Sequence, residues 1–245
     1  MDLIDTVCGT THEEQPNMSE ATTLLDTFSA WVEKTPDRVF LTQPMGGGDA
    51  NVKDWTFKET MDEALKMAAY LESLGLEKGS RIALMSKNCS WWFIADLAIW
   101  FAGHVTVPVY PTLTGDTVKY ILEHSESKLL FIGKLDEHPW NEMKTGVSAD
   151  LPTVSFPISP GEEHDGGKHE KWADIIAKTE PMKEPVKRDP EELATIICKC
   201  HLICALFFVV HLRLFVMLSH QSHFPARAVL PTALAESIYH IFCVN

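Results

Sequence analysis

The middle of the chain alternates short apolar runs with amphipathic helical patterns, and this alternation constrains the fold more than any other feature. The apolar runs with the length of buried strands lie at residues 81–85, 105–109 and 128–132. Ser90 is expected to cap the first helical pattern between them, which Gly103 ends, and Thr114 or Asp116 opens the second. Such alternation over short links is typical of parallel strands joined by right-handed crossovers. We therefore predict an α/β layered domain with a mostly parallel sheet and covering helices.

Further elements are predicted on both sides of this core. Leu24 opens a helical pattern that Pro36 stops, and Thr56 with Glu59 has the spacing of a capping box that opens a helix ending near Gly75. Other strands are predicted at 39–42, 55–57, 153–156 and 193–197, and weaker helices at 137–144 and 171–178. An exposed loop is predicted at 157–169, and a linker with three prolines at 179–190.

The composition of the chain changes at Cys198. All 13 glycines precede it, and no aspartate follows it. Glycine and aspartate make the turns and caps that an α/β domain needs. We therefore divide the chain into a flexible lead-in (1–20), an incomplete α/β domain (21–197) and an atypical hydrophobic, Cys- and His-rich tail (198–245).

Charge and targeting signals limit the partners and the compartment. The net charge of −13 argues against a nucleic-acid partner, since phosphate binding needs clustered Lys and Arg. Residues 1–10 lack the basic start of a secretory or transit peptide, so the expected compartment is the cytosol. The apolar run 202–218 is shorter than the about 20 residues of a membrane span. Its Arg213 would cost roughly 2.5–3.5 kcal/mol near the membrane centre, so membrane association stays the weaker alternative.

Several candidate sites are outweighed by simpler interpretations. Cys198, Cys200, His201 and Cys204 could bind zinc, but their spacing matches no usual zinc motif. Residues 46–48 are a Gly-Gly-Gly turn that lacks the lysine of a phosphate loop. The aromatic residues Trp91, Trp92, Phe93 and Trp100 have helical spacing and indicate core packing.

The histidines and acid pairs do not form a catalytic set either. We expect His104 to cap a helix or be exposed, and His164 and His169 to be solvated in a polar loop. The adjacent glutamates at 13–14, 162–163 and 191–192 point in different directions and indicate surface charge. The sequence therefore predicts no catalytic, cofactor-binding or metal-binding residue.

Three stretches in order carry a family resemblance. They are WTFKE at 55–59 followed by LESLGLEKGSRIAL at 71–84, NCSWWFIADLAIWFAGHVTVP at 88–108, and VYPT with YILEHSESK between 109 and 131. Together they resemble the opening of AMP-forming (adenylate-forming) enzymes, and the third is similar to the long-chain fatty acyl-CoA synthetase branch. Ser90 and Trp91 replace an acid that is usual after the Asn.

The resemblance implies a chain cut off before the ATP-phosphate loop. The intact family uses ATP, Mg²⁺ and CoA on a fatty acid, and its glycine-rich loop follows the position of Ile197. Here Cys198 and KCHLICALFF follow, with no Gly, Ser or Thr before Ser219. We expect an inactive fragment without these cofactors, whose open sheet edge at 193–197 pairs with itself or with an intact synthetase. The acyl chain length cannot be read from this part of the family.

Overall fold

The computed structural model describes residues 23–47, 51–160 and 169–198. The predicted lead-in 1–20, His164 and the candidate zinc ligands beyond Cys198 lie outside these ranges, and so does the apolar run 202–218. In the ranges that are described, none of the helices has the length and apolar character needed to cross a membrane.

The helices and strands follow the predicted order, except that the strand His169–Lys171 was not predicted and residues 193–197 do not form a strand. The helices are α1 (Leu24–Lys34), α2 (Phe57–Ser73), α3 (Ser90–Phe101), α4 (Gly115–His124), α5 (Glu137–Met143) and α6 (Trp172–Lys178), and a short 3₁₀ turn covers Lys144–Gly146. The strands are β1 (Val39–Pro44), β2 (Val52–Thr56), β3 (Arg81–Met85), β4 (Val105–Val109), β5 (Leu129–Ile132), β6 (Thr153–Ser155) and β7 (His169–Lys171).

The main sheet has the strand order β4-β3-β5-β6-β7, and every neighbouring pair is parallel. In its centre Ala83 of β3 lies between Val107 of β4 and Leu130 of β5. Strands β1 and β2 form a separate antiparallel hairpin. The predicted α/β fold with a parallel sheet is confirmed.

The strand order decides on which face each helix packs. The crossover from β3 to β4 and the crossover from β4 back past β3 to β5 run in opposite directions across the sheet. Because crossovers between parallel strands are right-handed, these two place their helices on opposite faces. Accordingly α1, α2, α3 and α6 pack on the face that carries Ile82 and Leu84. Helices α4 and α5 pack on the face that carries Ala83 and Met85. The sheet is therefore buried on both sides, as its unbroken apolar strands require.

The ends of α2 are set by local sequence. Thr56 Oγ1 accepts a hydrogen bond from the N–H of Glu59 at 3.1 Å, and the Glu59 carboxylate accepts one from the N–H of Thr56 at 2.8 Å. This is the predicted capping box. At the other end Gly75 has a φ of +66°, a left-handed conformation that suits glycine.

The start of α3 differs from the prediction. Ser90 is the first helical residue and not the cap, and the N-cap residue Cys89 makes no side-chain capping bond. Instead Gln43 of β1 accepts a hydrogen bond from the N–H of Ser90 at 3.0 Å through its Oε1. Gln43 is 3% exposed, so a buried side chain from a distant strand satisfies this helix end.

Aromatic side chains form much of the core around α2. The indole N–H groups of Trp55 and Trp172 both donate to the carboxylate of Glu63, at 2.6 and 2.7 Å. Trp91 packs edge-on against Trp55 with 5.2 Å between ring centroids, as core packing predicts. The same prediction is wrong for Phe93, which is 47% exposed.

Residues 179–192, here named the strap, lack helix and strand but are not a free linker. The side chain of Met182 is 7% exposed. The N–H of Met182 donates to Leu65 O at 3.1 Å, and the N–H of Val186 donates to Phe101 O at 2.9 Å. The strap therefore crosses α2 and the end of α3 in contact with both.

Residues 193–198, here named the terminal segment, lie beside β4. We predicted a buried strand at 193–197, but the segment forms only an isolated parallel bridge between Thr195 and Thr106 and is half-buried. The N–H of Thr106 donates to Ala194 O at 3.0 Å, and the N–H of Ile196 donates to Thr106 O at 2.9 Å. The segment extends the sheet past β4 as a partial edge.

Candidate functional site

The carboxyl edge of the sheet is the first place to look for a ligand site. In a doubly wound sheet ligands bind outside the carboxyl ends of the strands, where the strand order reverses. Here the loops that meet at this point are residues 86–89, which follow β3, and residues 133–136, which follow β5.

Atoms of the protein itself fill this crevice. The N–H of Lys134 donates to Ser86 Oγ at 2.9 Å, Ser86 Oγ donates to Lys87 O at 2.6 Å, and the N–H of Lys87 donates to Lys134 O at 2.8 Å. A Cβ atom on Gly133 would lie 2.3 Å from Ser86 Oγ and 2.7 Å from the ring of Phe156. The two loops are thus joined directly by hydrogen bonds and are closely packed at Gly133.

The polar groups around the crevice are also used within the protein. The N–H of Ser90, at the start of α3, is bonded to Gln43, and helix N–H groups are the usual phosphate donors at this place in the fold. Lys87 forms an ion pair with Asp136. Across residues 23–47, 51–160 and 169–198, no group of three His, Cys, Asp or Glu side chains is placed to hold a metal ion. The polar groups named here at the described part of this edge are therefore already paired within the protein.

The terminal segment reaches the same carboxyl edge. Thr195 pairs with Thr106 in parallel, so Cys198 lies at the same edge as Tyr110, the residue after β4. Tyr110 is 57% exposed, whereas Cys198 packs against the core on the α4 side. The chain thus arrives at position 198 beside β4, on the side away from β3.

Polar side chains anchor the strap and the terminal segment. Arg188 Nη1 donates to His104 O at 2.9 Å, and Arg188 Nη2 donates to Leu193 O at 2.7 Å. Arg188 Nε lies 2.8 Å from Glu192 Oε2, and Glu192 Oε1 lies 2.6 Å from Lys78 Nζ. These bonds join the strap to the loops before β3 and β4.

Glu192 is therefore more than the plain surface charge that we predicted. The hydrogen bond from Lys78, with a smaller contribution from the charge of Arg188, holds the pKa of Glu192 below its ordinary value. Opposite charges next to a carboxylate favour its ionised form.

A buried carboxyl group lies under the junction between β4 and the terminal segment. Asp96 of α3 is 8% exposed, and Thr106 Oγ1 donates a hydrogen bond to its Oδ1. Burial raises the pKa of Asp96 to about 7, and the bond from Thr106 acts in the opposite direction. Thr106 thus contacts Asp96 through its side chain and the terminal segment through its backbone.

His104 and His169 are not solvated as predicted, but the N–H of His104 donates to Ile99 O at 2.9 Å, which agrees with the alternative prediction that His104 caps a helix. His104 is 2% exposed, and burial, followed by the charge of Arg188, lowers the pKa of its ring. His169 belongs to β7, which we did not predict, and its Nδ1 lies 2.8 Å from Thr153 Oγ1. Neither histidine lies in the loops that meet at the crevice between β3 and β5.

An open groove of about 690 Å³ lies at the opposite, amino edge of the sheet. It runs between the end of α4 and residues 145–152, and its charged lining residues are Lys119, Glu123, Glu126, Lys128 and Asp150. Because side chains of both charges line the groove, it does not favour a ligand of either charge.

Comparison with known proteins decides the family. The sequence profile described as AMP-binding enzyme matches residues 28–198. The chain belongs to the AMP-binding enzyme family. Long chain acyl-CoA synthetase 1 of Arabidopsis thaliana is 37% identical over 175 residues, which cover 66% of this chain and 26% of that protein. Fatty acyl-CoA synthetase A of Dictyostelium discoideum is 27% identical over 185 residues, which cover 71% and 27%. The chain thus spans about a quarter of the length of these relatives.

Solved structures of ligases show the same fold. The crystal structure of coronafacic acid ligase from Pectobacterium brasiliense superimposes with a TM-score of 0.58 at 19% identity, over 71% of this chain and 33% of that one. The predicted resemblance to AMP-forming synthetases is confirmed, and the named relatives are acyl-CoA synthetases. The family match ends at residue 198, where the terminal segment meets the carboxyl edge.

Sequence reasoning missed three residues that fix the start of α3, the strap and the region under the terminal segment. Gln43 and Arg188 act on partners far away in the chain, so no local pattern indicates them. Asp96 did leave a signal, because it is the one charged residue in the otherwise apolar α3 sequence SWWFIADLAIWF. An isolated acid inside such a helix indicates a buried, hydrogen-bonded carboxyl group.

Proposed function

We propose that this chain represents the first part of the AMP-binding domain of a long-chain fatty acid–CoA ligase and that, as a 245-residue chain, it forms no acyl-adenylate. Its family and the names of its relatives support the parent activity. In that activity ATP activates a fatty acid as an acyl-adenylate, and CoA then takes up the acyl group.

The observation that carries the proposal is the position of Cys198 and the sequence beyond it. The chain reaches the carboxyl edge at this residue, but KCHLICALFF follows, and no Gly, Ser or Thr occurs before Ser219. A bound triphosphate needs backbone N–H groups of a glycine-rich loop and a positive charge. Phosphoryl and adenylyl transfer also need groups that stabilise the developing charge.

The direct test is ATP–pyrophosphate exchange driven by palmitate. We expect the full chain to give no exchange above a protein-free blank, while Arabidopsis long chain acyl-CoA synthetase 1 under the same conditions serves as the positive control. Exchange that requires the fatty acid and rises in proportion to the chain concentration would contradict the proposal.

Mass spectrometry of the endogenous protein tests the same point at the level of sequence. We expect peptides that read through Ile197 into Lys199 and His201. Peptides that continue instead into a Thr-, Ser- and Gly-rich stretch with a lysine would contradict the proposal of an inactive fragment and would indicate an active ligase.

A second candidate function is a binding or regulatory half-domain. The outer edge of the terminal segment has no strand partner among the described residues, and open edges pair with other strands. On this hypothesis the chain self-associates or co-purifies with an intact synthetase. A monodisperse monomer in sedimentation velocity that also melts cooperatively would count against it.

Membrane association through residues 202–218 is the third candidate. Its support is the apolar sequence of that run. Resistance to carbonate extraction would favour it, and release of the chain into the carbonate supernatant would exclude a stable anchor.

A further inference from the structure

The guanidinium group of Arg188 contacts three parts of the chain at once. Nη1 donates to His104 O in the loop before β4, Nη2 donates to Leu193 O in the terminal segment, and Nε pairs with Glu192 of the strap. The Arg188 side chain is only 7% exposed. The planar fork of arginine can direct several N–H groups at fixed acceptors in this way.

We propose that Arg188 is a positioning residue: it holds the terminal segment on the edge of β4 and so sets the position of Cys198 beside that strand. The inference goes beyond the proposed function, and it does not depend on whether the chain catalyses adenylation.

Ile196 and Cys198 of the terminal segment pack against the core, but the backbone pairing of the segment with β4 is short. Its backbone forms one bridge, at Thr106, whereas β3 and β4 share a register of five residue pairs from Arg81↔Val105 to Met85↔Val109. Trp100 adds one further bond, from its indole Nε1 to Ala194 O at 3.0 Å. A half-buried segment with so few ladder bonds depends on side-chain anchors for its place.

The chemistry of the anchor requires arginine in particular. Without the guanidinium group, His104 O and Leu193 O lose their donor in a mostly buried place, which is costly. A lysine carries the same charge on a single nitrogen and cannot serve both carbonyl groups and Glu192 in this geometry. Lys78, at the outer end of the same ion-pair chain, is 57% exposed and contributes little.

The indole of Trp100 offers a signal specific to the position of the segment. Its N–H bonds to Ala194 O, so its NMR resonance moves when the segment leaves β4. The indoles of Trp55 and Trp172 both bond to Glu63, so their resonances report the integrity of the core. Hydrogen exchange at the N–H of Ile196 measures the opening of the bridge.

The experiment compares Arg188→Met, Arg188→Lys and Lys78→Met in the full chain. In both Arg188 variants we expect the Trp100 indole resonance to move and Ile196 to exchange at least about tenfold faster. The Trp55 and Trp172 resonances stay in place. Lys78→Met, which removes a charge but leaves the bonds of Arg188, changes neither readout.

Three results would overturn the proposal. The first is an unchanged Trp100 signal and Ile196 exchange rate in Arg188→Met. The second is full rescue by Arg188→Lys, which would assign the effect to charge and not to the shape of the guanidinium. The third is loss of all indole signals in both Arg188 variants, which would make Arg188 a requirement of the whole fold.

Discussion

The centre of the sheet and the terminal segment at its edge are held by different forces. In β3 and β5, residues 82–85 and 129–132 are all 0% exposed, and each strand pairs with neighbours on both sides. The terminal segment is half-buried, and one bridge with a few side-chain bonds keeps it in place. Apolar burial stabilises the first region, whereas in the second region hydrogen bonds and charges add to the partial apolar packing of Ile196 and Cys198.

This difference predicts two levels of stability in one layered domain. Burial contributes about 25 cal/mol per Å² of apolar surface. A hydrogen bond contributes only about 0.5–1.5 kcal/mol net, and an exposed ion pair about 0–1 kcal/mol. The edge therefore opens locally while the centre of the sheet stays folded.

The largest expected effect is in the centre. Phe131 of β5 is 0% exposed and its ring centroid lies 5.8 Å from that of Trp172 and 5.9 Å from that of Phe156. Phe131→Ala is expected to lower the free energy of unfolding by about 3–5 kcal/mol, measured in urea. Phe93→Ala, at an exposed position of α3, is the matched control with an effect within about 0.5 kcal/mol. Similar losses in both variants would remove the distinction between core and surface.

The next effect lies where the two regions meet, at Asp96. Because its pKa in the folded chain is raised to about 7, the folded state binds the proton more tightly than the unfolded state. The stabilisation is present below about pH 4 and is lost as the pH rises towards 7. We expect the free energy of unfolding to fall by roughly 2–4 kcal/mol over this range relative to Asp96→Asn.

The comparison with Asp96→Asn at each pH isolates this group. Burial lowers the pKa of His104, so His104 acts in the opposite direction and its stabilisation is lost as the pH falls below about 6.5. His104 is present in both proteins and cancels in the difference. A difference that does not vary between pH 4 and pH 7 would contradict the assignment.

A smaller effect tests polar bonds inside the core. Glu63 accepts bonds from Trp55 and Trp172, which are 2% and 1% exposed. Glu63→Ala leaves both indole donors without this acceptor, and we expect a loss of about 1–3 kcal/mol. Its neighbour Asp62 pairs with Lys66 on the surface, so Asp62→Ala should cost at most about 0.5 kcal/mol. Equal costs in the two variants would show that the indole bonds add nothing.

The smallest effect is expected at the outer end of the edge anchor. Lys78 is 57% exposed and pairs with Glu192, so Lys78→Met should change the free energy of unfolding by less than about 1 kcal/mol. The same small difference should shrink further when the salt concentration is raised. A loss that exceeds that of Glu63→Ala would reverse the proposed ranking of core and edge.

The elements with local signals were predictable. The capping box of Thr56 and Glu59 and the glycines at 75 and 103 marked helix ends because these signals act within a few residues. The apolar runs that became β3, β4 and β5 were predicted because strands buried on both faces are apolar throughout. These three strands also carried the family resemblance.

The elements that depend on distant partners were not predictable. β7 has the polar sequence His-Glu-Lys and pairs only because β6 presents a free edge. The burial of His104 and the packing of the strap follow from Arg188 and Val186, which contact His104 and Phe101 more than 80 residues earlier in the chain. No local side chain caps the start of α3, and the N–H of Ser90 is instead bonded by Gln43 from another sheet.

The order of the strands also has a consequence for synthesis on the ribosome. The partner of Thr106 in the sheet is Thr195, about 90 positions later in the chain, and contacts at such separation form late. While the intervening residues are being translated, the outer side of β4 has nothing to pair with. The nascent chain therefore passes through a stage in which an apolar strand edge is open to neighbouring chains, and aggregation at this stage competes with completion of the sheet.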